Sequence, residues 1–289
     1  MRILKILFVA SIERSFRMTK LWKRYKPFVS AGIQELITYR VNFFLYRIGD
    51  VMGAFVAFYL WKAVFDSSHQ SLIQGFTLSD MTLYIIMSFV TNLLTKSDSS
   101  FMIGWEVKDG SIIMRLLRPV HFAMSYLFTE IGSRWLVFVS VGLPFVILIA
   151  GLKLLSGESF LQIVLITTVY LLSLILAFLI NFFFNICFGF SAFVFKNLWG
   201  SNLLKNSLVA FLSGSLVPLT FFPKIIAELL SFLPFSSLIY TPVMVIIEKY
   251  SMSQMIQALS LQLFWLFIMI ALSQLIWKCV QNYITIQGG

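Results

Sequence analysis

FLQIVLITTVYLLSLILAFLINFFFNICFGFSAFVF, residues 160–195, contains no Asp, Glu, Lys or Arg. A hydrocarbon core about 30 Å thick is crossed by ~20 apolar residues in a helix. This run is longer than that, so it has to tilt or project past the bilayer. On either side of it, further apolar stretches predict spans within Phe43–Phe65, Asp80–Thr95, His121–Leu155 and Met255–Val280. Another span begins near Leu203 and is interrupted by Gly214 and Pro218. The stretch from Asp80 is the shortest and crosses only with help from flanking polar residues or local thinning. The expectation is an all-α integral membrane protein with six transmembrane helices, residues 43–289, preceded by a cytoplasmic tail and interfacial helix, residues 1–42.

Composition agrees. Of 289 residues, 59% are hydrophobic and 12% charged, and mean hydropathy is +0.90, far from the balance of a soluble domain. The net charge of +10 does not indicate nucleic acid, because the basic residues sit at the ends of apolar runs. Arg2, Lys5, Arg14, Arg17, Lys20, Lys23, Arg24, Lys26 and Arg40 lie in the tail. Lys96, Lys108, Arg115 and Arg118 follow the second run, Lys196 and Lys205 the fourth, and Lys278 the last. The alternate loops are poorer: 66–79 has no Lys or Arg, and beyond it there are only Lys153, Lys224 and Lys249. Basic loops stay in the cytoplasm, so both termini are expected inside. The stretch Ile6–Ile12 is too short for a signal peptide and lacks a small-residue cleavage site. Met18 is an alternative start.

Catalytic and metal chemistry find little support. Cys187 and Cys279 have no CxxC spacing and read as packing residues. His69 and His121 stand alone, without HExxH or a carboxylate cluster. Arg47 and Asp50, three apart, and Glu130 and Arg134, four apart, have the spacing of intrahelical pairs. Near the membrane end such charges read as structural anchors ahead of a site. Asn181 and Asn185, one turn apart in the fourth run, point to interhelical hydrogen bonding, with a dimer interface or transport path as the alternative.

Three segments carry mechanism. Between Lys20 and Arg40, Trp22, Tyr25, Val29, Ile33, Leu36 and Ile37 recur at helical spacing, the pattern of an amphipathic helix on the membrane surface. Residues 97–119, SDSSFMIGWEVKDGSIIMRLLRP, start at a cap on Ser99 or Ser100, break at Gly110, and then present Ile112, Ile113, Leu116 and Leu117 beside Arg115 and Arg118. That apolar face serves either the bilayer surface or a cytosolic partner. Pro119 turns the chain toward the third span. Finally, Gly214, Pro218, Pro223, Pro234 and Pro242 punctuate apolar sequence whose backbone cannot lie bare in lipid, which predicts short re-entrant or interfacial helices over 218–242.

GWEVKDGSIIMRLLRPV, then FVFKNLWG, FLSGSLVPLTFFP and LPFSSLIYTPV, resemble in order and spacing the permease subunits of ABC type-2 exporters. The similarity is narrower still to bacterial six-span permeases encoded in pairs with a separate ATPase. The resemblance implies a half-transporter in the bacterial cytoplasmic membrane that dimerises with the same or a related chain. It implies a cytosolic nucleotide-binding subunit contacted through the Lys20–Arg40 helix and residues 110–119. Phe101, Trp105, Gly110, Arg115 and Arg118 would couple ATP-driven closure to the spans, and the proline-rich outer segment would cap the exit. The chain has no GxxxxGK[ST] loop, so ATP and Mg are expected on the partner and no cofactor on this chain. The sparse buried acids favour a lipophilic or amphipathic cargo. An autonomous secondary transporter or channel is the alternative, and it would need an internal repeat and polar groups lining the spans.

Overall fold

A computed structural model describes residues 22–195 and 197–281. Met18, Lys20 and Lys196, which carried sequence expectations, lie outside the described residues, as do the other basic residues before Lys20. Among the described residues there is no strand. The helices are α1 (22–38), α2 (Arg40–Ser68), α3 (Leu78–Thr95), α4 (Ser99–Asp109), α5 (Ile112–Leu116), α6 (Phe122–Val137), α7 (Leu143–Leu155), α8 (Phe160–Gly189), α9 (Ala192–Phe195), α10 (Trp199–Leu212), α11 (Lys224–Phe232), α12 (Tyr240–Ile246) and α13 (Met252–Val280). A π-helical turn, Phe138–Gly142, joins α6 to α7 without ending the helix, and a 3-10 turn, Leu219–Phe221, precedes α11.

Among the described residues, five helices are long and apolar enough to cross a membrane: Arg40–Ser68, Leu78–Asp109, Phe122–Leu155, Phe160–Phe195 and Met252–Val280. The expected fifth of six spans differs from its sequence reading. It starts at Trp199 and ends at Leu212 after 14 residues, about 21 Å at 1.5 Å per residue, short of a bilayer on its own. Short helical pieces follow it, as the prolines predict.

α8 is the central pillar and packs against α13, α4, α12, α3 and α7. The side chains buried along it include Tyr170, Ala177, Phe182 and Ile186. Contacts sort the connections into two ends. At one end, which we call the tail end, Tyr25 of α1 stacks on Phe128 at 4.6 Å. Its hydroxyl accepts from the His121 backbone N–H at 3.3 Å, and Phe122 stacks on Trp277 near the end of α13 at 4.6 Å. At the far end Lys249, just before α13, reaches Asp80 at 2.7 Å and the Gly75 carbonyl at 3.0 Å. Lys153, near the end of α7, pairs with Glu248 there.

The face of α1 that packs is narrower than its apolar pattern suggests. Tyr25 and Gly32 are buried and Val29, Ile33 and Leu36 partly so, whereas Trp22 and Ile37 are exposed. The reason is a glycine crossing: a Cβ on Gly32 would lie 1.9 Å from the Thr129 carbonyl oxygen, and one on Gly132 would lie 2.1 Å from that of Val29. Two helices approach this closely only where neither carries a side chain.

Candidate functional site

At the tail end α4 and α5 form an elbow. Gly110 turns it at φ 82°, in the left-handed region that suits glycine, and Asp109 accepts from the Ser111 N–H at 2.9 Å and hydroxyl at 2.6 Å. The start of α4 differs from the expected serine cap: Asp98 is the N-cap, and Ser99 and Ser100 are already helical.

Arg115 holds the elbow from inside. Its guanidinium donates to both oxygens of Glu106 at 2.8 and 2.5 Å and to Ser125 at 3.0 Å, and lies 3.8 Å from the centre of the Tyr126 ring. Tyr126 donates its own proton to Glu106 at 2.6 Å. Burial works against the Arg115 charge, yet the Glu106 hydrogen bonds hold its pKa above the ordinary guanidinium value. The fork ties α4, α5 and α6 into one body.

The outward face keeps Ile113 and Leu117 of the stretch the periodicity suggested and loses the other two. Ile112 is only 6% exposed and Leu116 packs on the core, so neither is free for a partner. Trp105 (56%), Met114 (66%) and Leu117 (75%) stand out, with Ile113 beside them. Lys108 lies over the Trp105 ring at 5.1 Å. Arg118 sits over Phe28 at 5.7 Å, linking the elbow to α1, and Pro119 is exposed at the bend. Phe101 is half-buried and, with Trp105 and Trp199, walls a cavity of about 220 Å³.

Directly behind the elbow lies a buried polar core. Asn181 donates to the Thr95 carbonyl at 2.9 Å, satisfying an orphan acceptor at the end of α3. Asn185 donates to the Asn181 side chain and carbonyl, each at 2.9 Å. The Lys205 ammonium then joins three helices, donating to Asn185 of α8 at 2.5 Å, Ser100 of α4 at 2.7 Å and Asn202 of α10 at 3.0 Å. Lys205 is only 6% exposed, so it is not the solvated loop charge that its place in the sequence suggested. Its partners are two amides and a hydroxyl, a neutral cage for a buried cation.

A second polar knot differs from expectation as well. Glu130 and Arg134 do not pair. Glu130 accepts from the Ser97 hydroxyl at 3.0 Å and the Asp98 N–H at 2.9 Å, and Arg134 pairs with Asp98 at 2.7 Å. Both fasten the α3–α4 junction to α6. Arg47 and Asp50 do pair, at 2.9 Å.

At the far end, the broken segment has its carbonyls satisfied from neighbouring helices. Tyr84 donates to Gly214 at 2.6 Å, Gln262 to Ser237 at 2.8 Å and Trp265 to Phe232 at 2.8 Å. Gly214 adopts φ 77°. Pro218 and Pro223 stand just before the 3-10 turn and α11, Pro234 lies between α11 and α12, and Pro242 sits buried in the first turn of α12. These donors give partners to backbone carbonyls that the broken helices leave without one. No sequence pattern announced them, because each is one polar side chain in an apolar helix.

The described residues contain no group of three or more His, Cys, Asp or Glu placed to hold a metal. His69 ends α2 and His121 precedes α6. A family model described as ABC-2 family transporter protein matches residues 51–288. The chain belongs to the ABC-2 transporter family. Among curated proteins the search finds no match. For this ABC-2 permease the matched region takes in the elbow, both polar knots and the broken segment, and begins part-way along α2. It is a multi-pass membrane component of an ABC-type transporter, and permeases of this family pair in general with an ATPase subunit.

Proposed function

We propose that this chain is the transmembrane half of an ATP-driven exporter that moves a lipophilic or amphipathic compound outward, powered by a separate nucleotide-binding subunit docked at the tail end. One observation carries the reading: a rigid elbow, fastened by the Arg115–Glu106 fork, presents Trp105, Met114 and Leu117 away from the bundle. Rigidity lets a push on that face reach α4, and the Lys205 cage passes the displacement to α8 and α10. The partner's nucleotide state then biases two conformations of the pathway.

Six crossings belong to the same reading. The chain enters α10 beside the elbow and reaches Lys249 at the opposite end, so α10 and the short helices after it together make one traverse. On this reading the two ends of the chain share the side of the basic loops, the cytoplasmic side of a bacterial plasma membrane. A second permease chain completes the pathway, and ATP and Mg belong to the partner.

The test is co-purification of tagged chain with its genetic neighbours in nanodiscs. A protein carrying a phosphate-binding loop is expected to co-elute. Met114→Asp with Leu117→Asp is expected to lower its recovery by about tenfold or more at unchanged thermal stability. Full recovery with the double variant overturns the docking face. A chain that transports alone overturns the exporter reading.

A further inference from the structure

The α2 side of the bundle holds two cavities that share walls. One, of about 400 Å³, is the more polar of the two and lies between α2, α3, α8 and α10, with Lys96, Asn92 and Asn206 among its lining. The other, of about 520 Å³, is a groove between α2, α3 and α7 walled by Ala54, Phe55, Phe58, Ile86 and Phe145. Arg47, Asp50, Phe89 and Leu93 line both. The polar limb lies toward the tail end, where α3 finishes. From Arg47 to Phe58 the apolar limb follows α2 for about 16 Å at the helical rise.

The chemistry differs along that length. The cations Arg47, Lys96 and Lys205 line the polar limb together with the carboxylate Asp50. Arg47 pairs with Asp50 at 2.9 Å and Lys96 with Asp98 at 3.4 Å, which leaves Lys205 as the lining cation with no carboxylate partner among the described residues. Lys205 is bonded only to neutral groups, and the shielded Nε of Arg47 has no hydrogen-bond partner. The apolar limb holds no charge beyond the shared Arg47–Asp50 pair. Val141 of the π-helical turn lines it, and such turns are frequent at functional sites.

We infer that this bipartite cavity is a binding site for an anionic single-chain amphiphile, with its phosphate or carboxylate head at Arg47 and its alkyl tail along Ala54 and Phe58. The site deepens the exporter reading by naming the cargo class, and as cargo it rests on that reading. The tail enters sideways from the bilayer, because α2 leaves the groove open to the side. The head is drawn by the unpartnered Nε donor of Arg47, which can make a charge-assisted hydrogen bond, and by the Lys205 charge that no carboxylate pairs.

The probes are lauryl phosphate, lauryl phosphocholine and lauryl alcohol, each carrying a tail diazirine, added to the full chain in neutral-lipid nanodiscs. Saturable labelling of α2 and α3 by the phosphate probe is expected, about tenfold tighter than by the alcohol. Arg47→Gln is expected to remove that preference and leave alcohol labelling unchanged. Ala54→Trp, and independently Ile86→Trp, are expected to remove labelling by all three probes in monodisperse protein. Labelling that ignores the head group marks ordinary boundary lipid and overturns the site. Probe-independent disulfide capture of a second copy through Phe55→Cys, with labelling blocked, gives the groove to a protomer and also overturns it.

In the complex with its ATPase, the phosphate probe is expected to raise ATP hydrolysis about twofold, and Arg47→Gln to abolish the rise. Binding without any rise makes the amphiphile a resident lipid and overturns its role as cargo. Absence of an ATPase partner would sink the exporter reading alone, since the nanodisc labelling does not depend on it.

Discussion

α2 and α8 are close to the same length, 29 and 30 residues, and both qualify as spans by hydropathy, yet they live differently in the bundle. In the most apolar stretch of α2, 11% is buried inside the protein, against 39% for the α8–α9 run. α8 is surrounded by helices on most sides. α2 buries Trp61 and Phe65 near one end, where Trp61 meets Phe221 at 4.7 Å, and at the other end it continues from α1, which the glycine crossing pins to α6. Between those anchors it leans on α3 and leaves the groove open. A helix held at its ends and loose at its middle can admit a guest or a partner, whereas a helix packed along its length transmits force.

The strongest way to break that contrast is Gly132→Val. Its side chain would fall on the Val29 backbone, so α1 is expected to unseat at a cost of ~3 kcal/mol or more. Hydrogen exchange in nanodiscs should speed up through α1 and the first turns of α2 while α8 stays protected. Unaltered protection of α1 would mean that α2 is not anchored there.

Next in size is a matched pair of truncations. Phe182, fully buried on α8, is expected to cost about 2–3 kcal/mol when changed to Ala. That is below the value for soluble cores, because lipid supplies no hydrophobic driving force and only packing is lost. Phe44 on α2 is exposed, and Phe44→Ala should cost under about 0.5 kcal/mol. Unfolding in mild detergent compares them, and equal losses would remove the distinction between pillar and outer helix.

A loss smaller than that of Phe182→Ala sharpens the account of α8. Asn185→Leu takes one acceptor from Lys205 and is expected to cost about 1–2 kcal/mol. Adding Lys205→Met, which removes the stranded charge, should recover part of that loss. If the two losses simply add in the same unfolding assay, the cage does not act as a unit.

The residues that were legible in the sequence share one property: their effect is local. Apolar length marked the long helices, Gly110 marked the elbow, the prolines marked the broken segment, and the three-residue spacing of Arg47 and Asp50 marked a real pair. Spacing misled where a better partner lay on another helix. Glu130 and Arg134 look paired at four residues, but Asp98 outbids each for the other once α3 ends beside α6. Lys205 looked like a loop charge because nothing in its neighbourhood reveals Asn185 and Ser100, twenty and more positions away. Ile112 and Leu117 look equivalent on a short amphipathic stretch, and only the docking of α5 onto the core buries one and exposes the other.

The amino-acid sequence alone therefore determined the solvent of this protein, the segments that are helical and the family to which its motifs point, because hydropathy, chain breakers and charge placement act within a few residues. The tertiary structure decided which long helix is a pillar and which an outer wall, which buried charges meet, and where a cavity with one charged and one apolar limb opens. Those outcomes depend on which faces come together across the bundle, and in a lipid solvent an apolar face reads the same whether it meets another helix, a ligand tail or the bilayer.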